Sequence, residues 1–184
     1  MRYAEICQEV HKIENRFHET DPFKLCDCLG ILVLRHPLGT GENAIKGFFL
    51  EINRIKTITI NSDLPAAVQR IIAAHELGHA VLHRKSGIQA FHDIGLFDES
   101  SMFEKDANLF AAEYLLKDED VLEMLNTDCT FFSAAAALYV PMELLDFKFR
   151  ILKWKGYKFM EPPITAPSNF LRNLEVPNHA GSIC

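Results

Sequence analysis

The chain has 184 residues, a length that suits one domain of ordinary size. Hydrophobic residues make up 48% of it, enough for a core that needs no disulfide or metal to stabilise it. The formal net charge of −6 argues against nucleic acid as the main ligand, because a DNA-binding protein needs a net or local positive field.

Cysteine usage and the first residues indicate a cytoplasmic protein. Five cysteines are present, and Cys26 and Cys28 form C-x-C instead of the C-x-x-C of a zinc knuckle, so we expect reduced thiols. The opening residues, MRYAEICQEVHKIENRF, are charged and amphipathic and contain no long apolar run. They predict neither a signal peptide nor a membrane span.

Two helices and a small sheet are predicted in the first third of the chain. Apolar residues three or four apart predict a helix over residues 2–18, and Asp21-Pro22 begins a short second helix that Gly30 ends. Short breaks separate three strand candidates, so we expect a small antiparallel sheet in the form of a meander. The strand candidates are residues 31–35, 45–52 and 57–60.

Two longer helices follow the predicted sheet. A capping residue and a later glycine delimit the third helix, and a serine begins the fourth. The stretch between them, residues 86–100, shows no period and predicts a loop. The predicted bounds are Ser62 or Asp63 to Gly87 for the third helix and Ser101 to about Asp118 for the fourth.

The C-terminal part is predicted to contain two further helices, over residues 131–139 and 141–155, arranged as a helix-turn-helix-like hairpin. Beyond them the sequence is proline-containing and lacks periodicity, so we expect a loose extension. The predicted division is residues 1–158 for a single domain, with the hairpin at 130–158, and residues 159–184 for the tail.

The third predicted helix carries AAHELGHAVLH at residues 73–83, which contains an H-E-x-x-H pattern. At 100° per residue, His75 and His79 fall within about 40° of the direction of the apolar Val68. The two imidazoles therefore lie on the buried stripe, one turn apart, where they can share a metal ion. Glu76 lies about 80° round the helix, where a general base beside that ion belongs. The alternative is an ordinary helix that matches the pattern by chance.

A zinc hydrolase needs a third protein ligand that leaves the fourth position for water. We reject His83 as that ligand, because on one continuous helix it lies about 12 Å along the axis from His75. Glu104 is the better candidate. It heads a helical face whose small residues, Ala107 and Ala111, would let another helix approach closely.

Two neighbours of Glu104 bear on this assignment. Asn108, one turn further on, could hydrogen-bond the far nitrogen of a ligating histidine. Ser101-x-x-Glu104 is also a capping box, in which the carboxylate only ties down the start of the helix. The nearby histidine pair favours the ligand over the cap. Asp106 points to the opposite side of this helix.

HELGHAVLH, followed about twenty residues later by the pattern E-x-x-A-N-x-F-A-A-E-x-L-L, resembles the ImmA/IrrE-type metallopeptidases, a gluzincin-like family. The resemblance covers roughly residues 1–155 and implies an α+β, zincin-like fold. It also implies zinc held by His75, His79 and Glu104, with Glu76 as the base. Members are typically encoded on phages and conjugative elements beside a repressor, which they cut. This chain departs from the family after the two leucines, where members often have a proline.

The chemistry of such a site follows from its parts. Three protein ligands leave zinc an open position for water, whose pKa falls to about 7. Glu76 would take the proton of this water and return it to the leaving amine after attack on the peptide carbonyl. The sequence does not choose the donor to the tetrahedral oxyanion or to the substrate. The candidates are His83, His92, Tyr114 and Tyr139.

The sequence therefore predicts a cytoplasmic, zinc-dependent endopeptidase with a protein substrate, and the resemblance implies a helix-turn-helix repressor of a phage or conjugative element. Neither direct nucleic-acid binding nor membrane association is expected, and the oligomeric state is not predicted. One competing hypothesis is a catalytically silent, zincin-fold module that regulates by binding. Glu76 favours the enzyme, since a pure zinc scaffold needs no base. Another is a DNA-binding regulator that uses the C-terminal helices.

Charged residues outside this site carry less information. The last predicted helix is basic, which is typical of a solvated face, although docking of a protein or of DNA is an alternative. Glu113 is expected to form an exposed i,i+4 pair with Lys117. The basic residues are Lys148, Arg150, Lys153, Lys155 and Lys158.

Overall fold

The computed structural model describes residues 3–41, 44–83, 99–125, 130–160 and 162–171, with the backbone alone for residues 99–101. Within these ranges it has the expected α+β class and the element order of a zincin-like domain. The N-terminal elements are α1 (Tyr3–Phe17), α2 (Pro22–Cys28), β1 (Ile31–His36), β2 (Gly47–Ile52) and β3 (Ile55–Asn61). The later helices are α3 (Ala66–Leu82), α4 (Glu99–Leu115), α5 (Asp118–Leu125), α6 (Phe131–Ala137) and α7 (Met142–Trp154).

The two N-terminal helices form as predicted. Ile6, Val10 and Ile13 recur on one face of α1, and all three are buried in the core. The α2 helix begins where the side chain of Asp21 accepts a hydrogen bond from the backbone N–H of Phe23 at 2.9 Å, a standard N-cap.

The sheet is mixed, so the predicted antiparallel meander is wrong. The strand order is β1-β3-β2: β2 pairs antiparallel with β3, whereas β1 pairs parallel with it. A two-residue turn, Asn53-Arg54, joins β2 to β3, and both residues have the positive φ that a tight hairpin of this hand requires. The most buried strand, β3, with the fully buried Ile58 and Ile60, takes the centre of the sheet.

Asn61 accounts for the position of β2 beyond β3. Its buried side chain accepts a hydrogen bond from Leu38 N–H at 3.1 Å and donates to the carbonyl oxygens of Gly39 and Ile45 at 2.7 and 2.8 Å. The connection between β1 and β2 is thereby bound to the end of β3. A rule that pairs strands adjacent in sequence does not foresee this long-range contact.

The α3 helix differs from the prediction at both ends. Its N-cap is Pro65, because the carboxylate of Asp63 instead accepts a hydrogen bond from Gly39 N–H at 2.8 Å. The helix ends at Leu82, with His83 as C-cap, so the predicted end at Gly87 is wrong. The predicted loop falls almost entirely on residues 84–98, outside the described ranges.

The fourth helix ends slightly before its predicted end, and a separate helix that the sequence pattern did not predict follows it. The α4 helix ends at Leu115 and α5 begins at Asp118, with three acidic residues in its first turn, where they favourably meet the positive end of the helix dipole. The α6–α7 hairpin forms near the predicted positions, and the side chain of Thr130 caps α6. The helix-turn-helix character of the hairpin and the domain boundaries stay predictions.

Residues 162–171 pack onto the domain, so the expectation of a loose tail does not hold for this segment. Phe170 is buried against Phe147 of α7, with ring centroids 5.7 Å apart. The backbone N–H of Ala166 donates to Asp146 at 2.9 Å, and its carbonyl accepts from Arg150 at 2.7 Å. Proline content indicated an irregular segment here but not whether apolar side chains anchor it.

No helix within the described ranges is both long and apolar enough to cross a membrane.

Candidate metal centre

The α3 and α4 helices approach each other unusually closely at Gly78 and Ala107. A Cβ atom at Gly78 would lie 3.1 Å from Cα and 3.2 Å from the carbonyl oxygen of Ala107, closer than ordinary packing allows. Ala107 and Ala111 are fully buried, so the prediction that small residues admit a second helix is confirmed. This approach brings the first turns of α4 against the histidine face of α3.

Three side chains converge at this helix pair. Nε2 of His75 lies 3.2 Å from one carboxylate oxygen of Glu104, and Nε2 of His79 lies 3.2 Å from the other. The two Nε2 atoms are 3.1 Å apart. Both imidazoles are buried, whereas the Glu104 side chain is one-third exposed, so the cluster opens towards solvent on its carboxylate side. These three residues could together hold one metal ion.

Burial and the carboxylate act in opposite directions on the two histidines. Burial lowers the pKa of His79 to about 4, which keeps its imidazole neutral and able to donate a lone pair. Burial acts in the same direction on His75, but hydrogen bonding and charge from Glu104 outweigh it and raise its pKa. Burial alone would raise the pKa of Glu104, yet hydrogen bonds from both histidines hold it far below its usual range. The Glu104 carboxylate is therefore anionic.

The alternative role of Glu104 as a capping residue does not fit the structure. The α4 helix already begins at Glu99, which leaves Ser101 inside the first turn instead of at the N-cap. The Glu104 carboxylate lies against the two histidines of α3.

Glu76 is buried beside this cluster, with 7% of its surface exposed. Burial and the charge of Glu104 raise its pKa to about 7, against the opposing effects of His75 and of a hydrogen bond from the backbone N–H of Phe49. This contact ties Glu76 to β2, the edge strand of the sheet. Its other oxygen, Oε2, has no hydrogen-bond partner within the described part of the chain. A carboxylate in these surroundings can exchange a proton near neutral pH.

Asn108 is fully buried near His75 and contributes to the raised pKa of that ring, although His75 Nδ1 and Asn108 Oδ1 are not within hydrogen-bonding geometry of each other. Its side-chain nitrogen donates to the carbonyl of Ser168 at 2.5 Å. The segment 162–171 therefore anchors a residue that contacts the cluster. Sequence reasoning missed this connection, because nothing in the local pattern links the two segments.

The other candidates for an oxyanion or substrate contact fare differently. The hydroxyl of Tyr114 donates to the carbonyl of Glu19 at 3.0 Å, in the connection between α1 and α2. Tyr139 is 83% exposed in the turn between α6 and α7. The structure therefore brings neither into the cluster. His83 contacts His79, and His92 lies outside the described residues.

The predicted exposed pair of Glu113 with Lys117 is wrong. Glu113 is buried and binds Lys148 of α7 at 2.6 Å and Lys155, the C-cap of that helix, at 2.7 Å. Lys117 pairs with Glu14 instead. The reason is that α7 packs on the side of α4 that carries Glu113, so both faces of α4 are interior.

The basic character of α7 is largely neutralised within the fold. Lys148 is only 1% exposed and also binds Asp118, as does Lys155. Arg150 pairs with Asp146. The prediction of a solvated basic face is therefore wrong for these three residues. Their pairing with carboxylates leaves less positive charge for docking a partner.

Comparison with known proteins identifies relatives. The family model of the IrrE N-terminal-like domain, a peptidase family, matches residues 26–150. Uncharacterized immunity region protein 2 of Bacillus phage phi105 is 33% identical over 146 residues, which cover 79% of this chain and 90% of that protein. Metallopeptidase ImmA of Bacillus subtilis (strain 168) is 28% identical over 144 residues, which cover 75% of this chain and 82% of that protein.

Proposed function

Because the chain belongs to the IrrE N-terminal-like family of peptidases, we propose that it is a zinc-dependent endopeptidase. In this proposal His75, His79 and Glu104 hold the metal and Glu76 is the general base. The observation that carries it is the convergence of two imidazole nitrogens and one carboxylate oxygen within 4.8 Å of one another.

The donor set supports zinc as the metal. Two histidines and one glutamate form a ligand set of catalytic zinc sites, which leave the fourth position open. Bonds of about 2.1 Å at tetrahedral angles would separate neighbouring ligand atoms by about 3.4 Å. The two Nε2 atoms are 3.1 Å apart, and each lies 3.2 Å from a different oxygen of Glu104, so the carboxylate faces both rings.

The residues around the metal have separable roles in peptide hydrolysis. Bound zinc supplies a Lewis acid that polarises the peptide carbonyl and acidifies water. Glu76 accepts the proton of the attacking water and passes it to the leaving amine. Phe49 N–H fixes one oxygen of Glu76 and leaves the other for the proton. In this proposal the side-chain oxygen of Asn108 accepts the Nδ1 hydrogen of His75 once the ring binds the metal through Nε2.

We propose a helix-turn-helix repressor encoded near this gene as the substrate. The support is the phage relative, whose name places it in an immunity region, together with the ImmA relative. The free cysteines Cys7, Cys26 and Cys28 fit a reducing cytoplasm, where such a repressor is found. Protein docking by the C-terminal helices needs a surface other than Lys148 and Lys155, whose charges are already paired.

The test is incubation of the zinc-loaded protein with the neighbouring repressor, followed by intact-mass spectrometry. We expect a small number of discrete cuts that a chelator abolishes, and almost no turnover of casein. Rapid digestion of casein with the repressor left intact would exclude the proposed substrate. The absence of cleavage of any protein by zinc-loaded enzyme would favour the silent binding module instead.

A further inference from the structure

His83 is a buried histidine that the proposed chemistry does not use. It is the C-cap of α3, where its backbone N–H donates to the carbonyl of His79 at 3.1 Å. That capping role needs only the backbone, yet the side chain is buried as well. Its ring lies between the ring of His79 and that of Phe103, with centroid distances of 5.2 and 4.6 Å.

The polar atoms of this ring connect a candidate metal ligand, His79, with a carboxylate, Asp106. Nδ1 of His83 lies 3.1 Å from Nδ1 of His79, within hydrogen-bond distance. On its other side, Nε2 of His83 lies 3.9 Å from a carboxylate oxygen of Asp106, which is also buried. Asp106 comes from α4, two residues after Glu104, so the three side chains of His79, His83 and Asp106 connect both helices of the site.

Metal binding by His79 determines where the hydrogens of both rings lie. If His79 binds a metal through Nε2, a neutral ring must carry its hydrogen on Nδ1. That N–H can donate only to an atom with a free lone pair, so Nδ1 of His83 must be the acceptor. The hydrogen of the His83 ring then resides on Nε2, which lies 3.9 Å from a carboxylate oxygen of Asp106. Each proton position follows from the previous one.

We propose that His83 and Asp106 are positioning residues that hold His79 in the tautomer and orientation required for metal binding. His83 accepts the Nδ1 hydrogen of His79, and Asp106 stabilises the complementary tautomer of His83. Acceptors behind a ligating histidine raise its basicity and fix its ring, and their loss typically weakens metal affinity by about 10–100-fold. The inference rests on the proposed metal site but not on the proposed substrate or on proteolysis.

The experiment measures zinc affinity by competition with a chromophoric chelator, for wild type and four variants. His83→Phe keeps a ring against Phe103 but removes the acceptor, and we expect a loss of affinity of about 10–100-fold with an unchanged zinc content at saturation. His83→Gln supplies an oxygen acceptor and should recover part of the affinity. Asp106→Asn should weaken binding in the same direction. His11→Phe, at an exposed position on α1, should change nothing.

Cobalt substitution provides a readout that does not depend on activity. The visible absorption of the Co²⁺-loaded protein reports the geometry around the metal, so His83→Phe should shift it and His83→Gln should shift it less. If His83→Phe does not fold, Asp106→Asn and His83→Gln carry the test. Wild-type affinity and spectrum in the folded His83 and Asp106 variants would overturn the positioning role. Failure of the wild-type protein itself to bind zinc would instead overturn the proposed metal site.

Discussion

The carboxylate of Glu104 lies 3.2 Å from Nε2 of His75, although the two residues belong to different helices. Without a cation between them, a neutral ring and a carboxylate gain one hydrogen bond. A divalent ion would be bound by both. Helix spacing predicted which side chains face each other across α3 and α4, and the close approach at Gly78 brings them together.

The first prediction concerns metal content. Purified wild type should hold about one zinc ion per chain, and His75→Ala or Glu104→Ala should lose most of it, because two remaining ligands bind weakly. Elemental analysis after gel filtration measures this. Glu119→Ala, at an exposed position on α5, is the matched control and should retain the ion. Unchanged zinc in Glu104→Ala would place the third ligand elsewhere.

The second prediction concerns the contact between α3 and α4. Gly78→Val should lower the free energy of unfolding by about 1–3 kcal/mol and weaken zinc binding, because its side chain meets the backbone of Ala107 and pushes Glu104 away. Ala67→Val, at an exposed position on the same helix, introduces the same side chain without the clash and should cost only the lower helix propensity of valine, about 0.7 kcal/mol or less. Urea unfolding of both variants separates the two effects. Equal destabilisation would mean that close packing at Gly78 is unimportant.

The third prediction concerns acid stability. Burial alone would raise the pKa of Glu113 and of Asp118, but Lys148 and Lys155 hold both pKa values below their ordinary ones. Because the folded-state pKa is the lower one, the stabilisation is complete above about pH 4.5 and is lost as the pH falls through the folded-state pKa. Lys148→Met should therefore cost about 3 kcal/mol or more at pH 7 and progressively less below pH 4.

Denaturant unfolding at several pH values, followed by circular dichroism, checks this expectation. Lys117→Met removes the more exposed pair with Glu14 and should cost about 1 kcal/mol or less. A penalty for Lys148→Met that does not change between pH 7 and pH 3 would show that packing, and not the ion pairs, is responsible.

The fourth prediction concerns the segment 162–171. Phe170→Ala should lower the free energy of unfolding by about 3 kcal/mol, because a buried ring against Phe147 is replaced by a cavity. Thermal and urea unfolding measure the loss. Met160→Ala, at a side chain that is 91% exposed, should have almost no effect. A Phe170→Ala variant as stable as wild type would show that this ring does not anchor the segment to the domain.

The sequence predicted features that depend on residues close together in the chain, and it missed features that depend on contacts between distant segments. Apolar and histidine periodicity within one helix placed His75, His79 and Glu104 on faces that meet, and small residues indicated close packing. The same spacing of 100° per residue predicted that Glu113 and Asp106 lie on the solvent-facing side of their helix. Both are buried, because α7 covers one and His83 faces the other. A single-helix pattern does not contain the position of its neighbours.

The same limit explains the sheet. Strand positions followed from β-branched runs and turn residues, but the order β1-β3-β2 depends on Asn61, whose side chain binds three backbone groups in the link between β1 and β2. The third histidine, His83, four residues after His79, could have indicated that a further polar side chain such as Asp106 is needed beside it. No sequence pattern indicated the contacts of residues 162–171 with the rest of the domain.

The most direct test of the account compares wild type with Glu76→Gln in zinc content and in repressor cleavage. The amide can still accept the hydrogen bond from Phe49 N–H, so the variant should fold and retain its zinc while cleavage falls by about 10²–10⁴-fold. Glu119→Gln, the exposed control, should keep both. Equal cleavage by wild type and a zinc-loaded Glu76→Gln would contradict the role of Glu76 as general base, and with it the proposed mechanism.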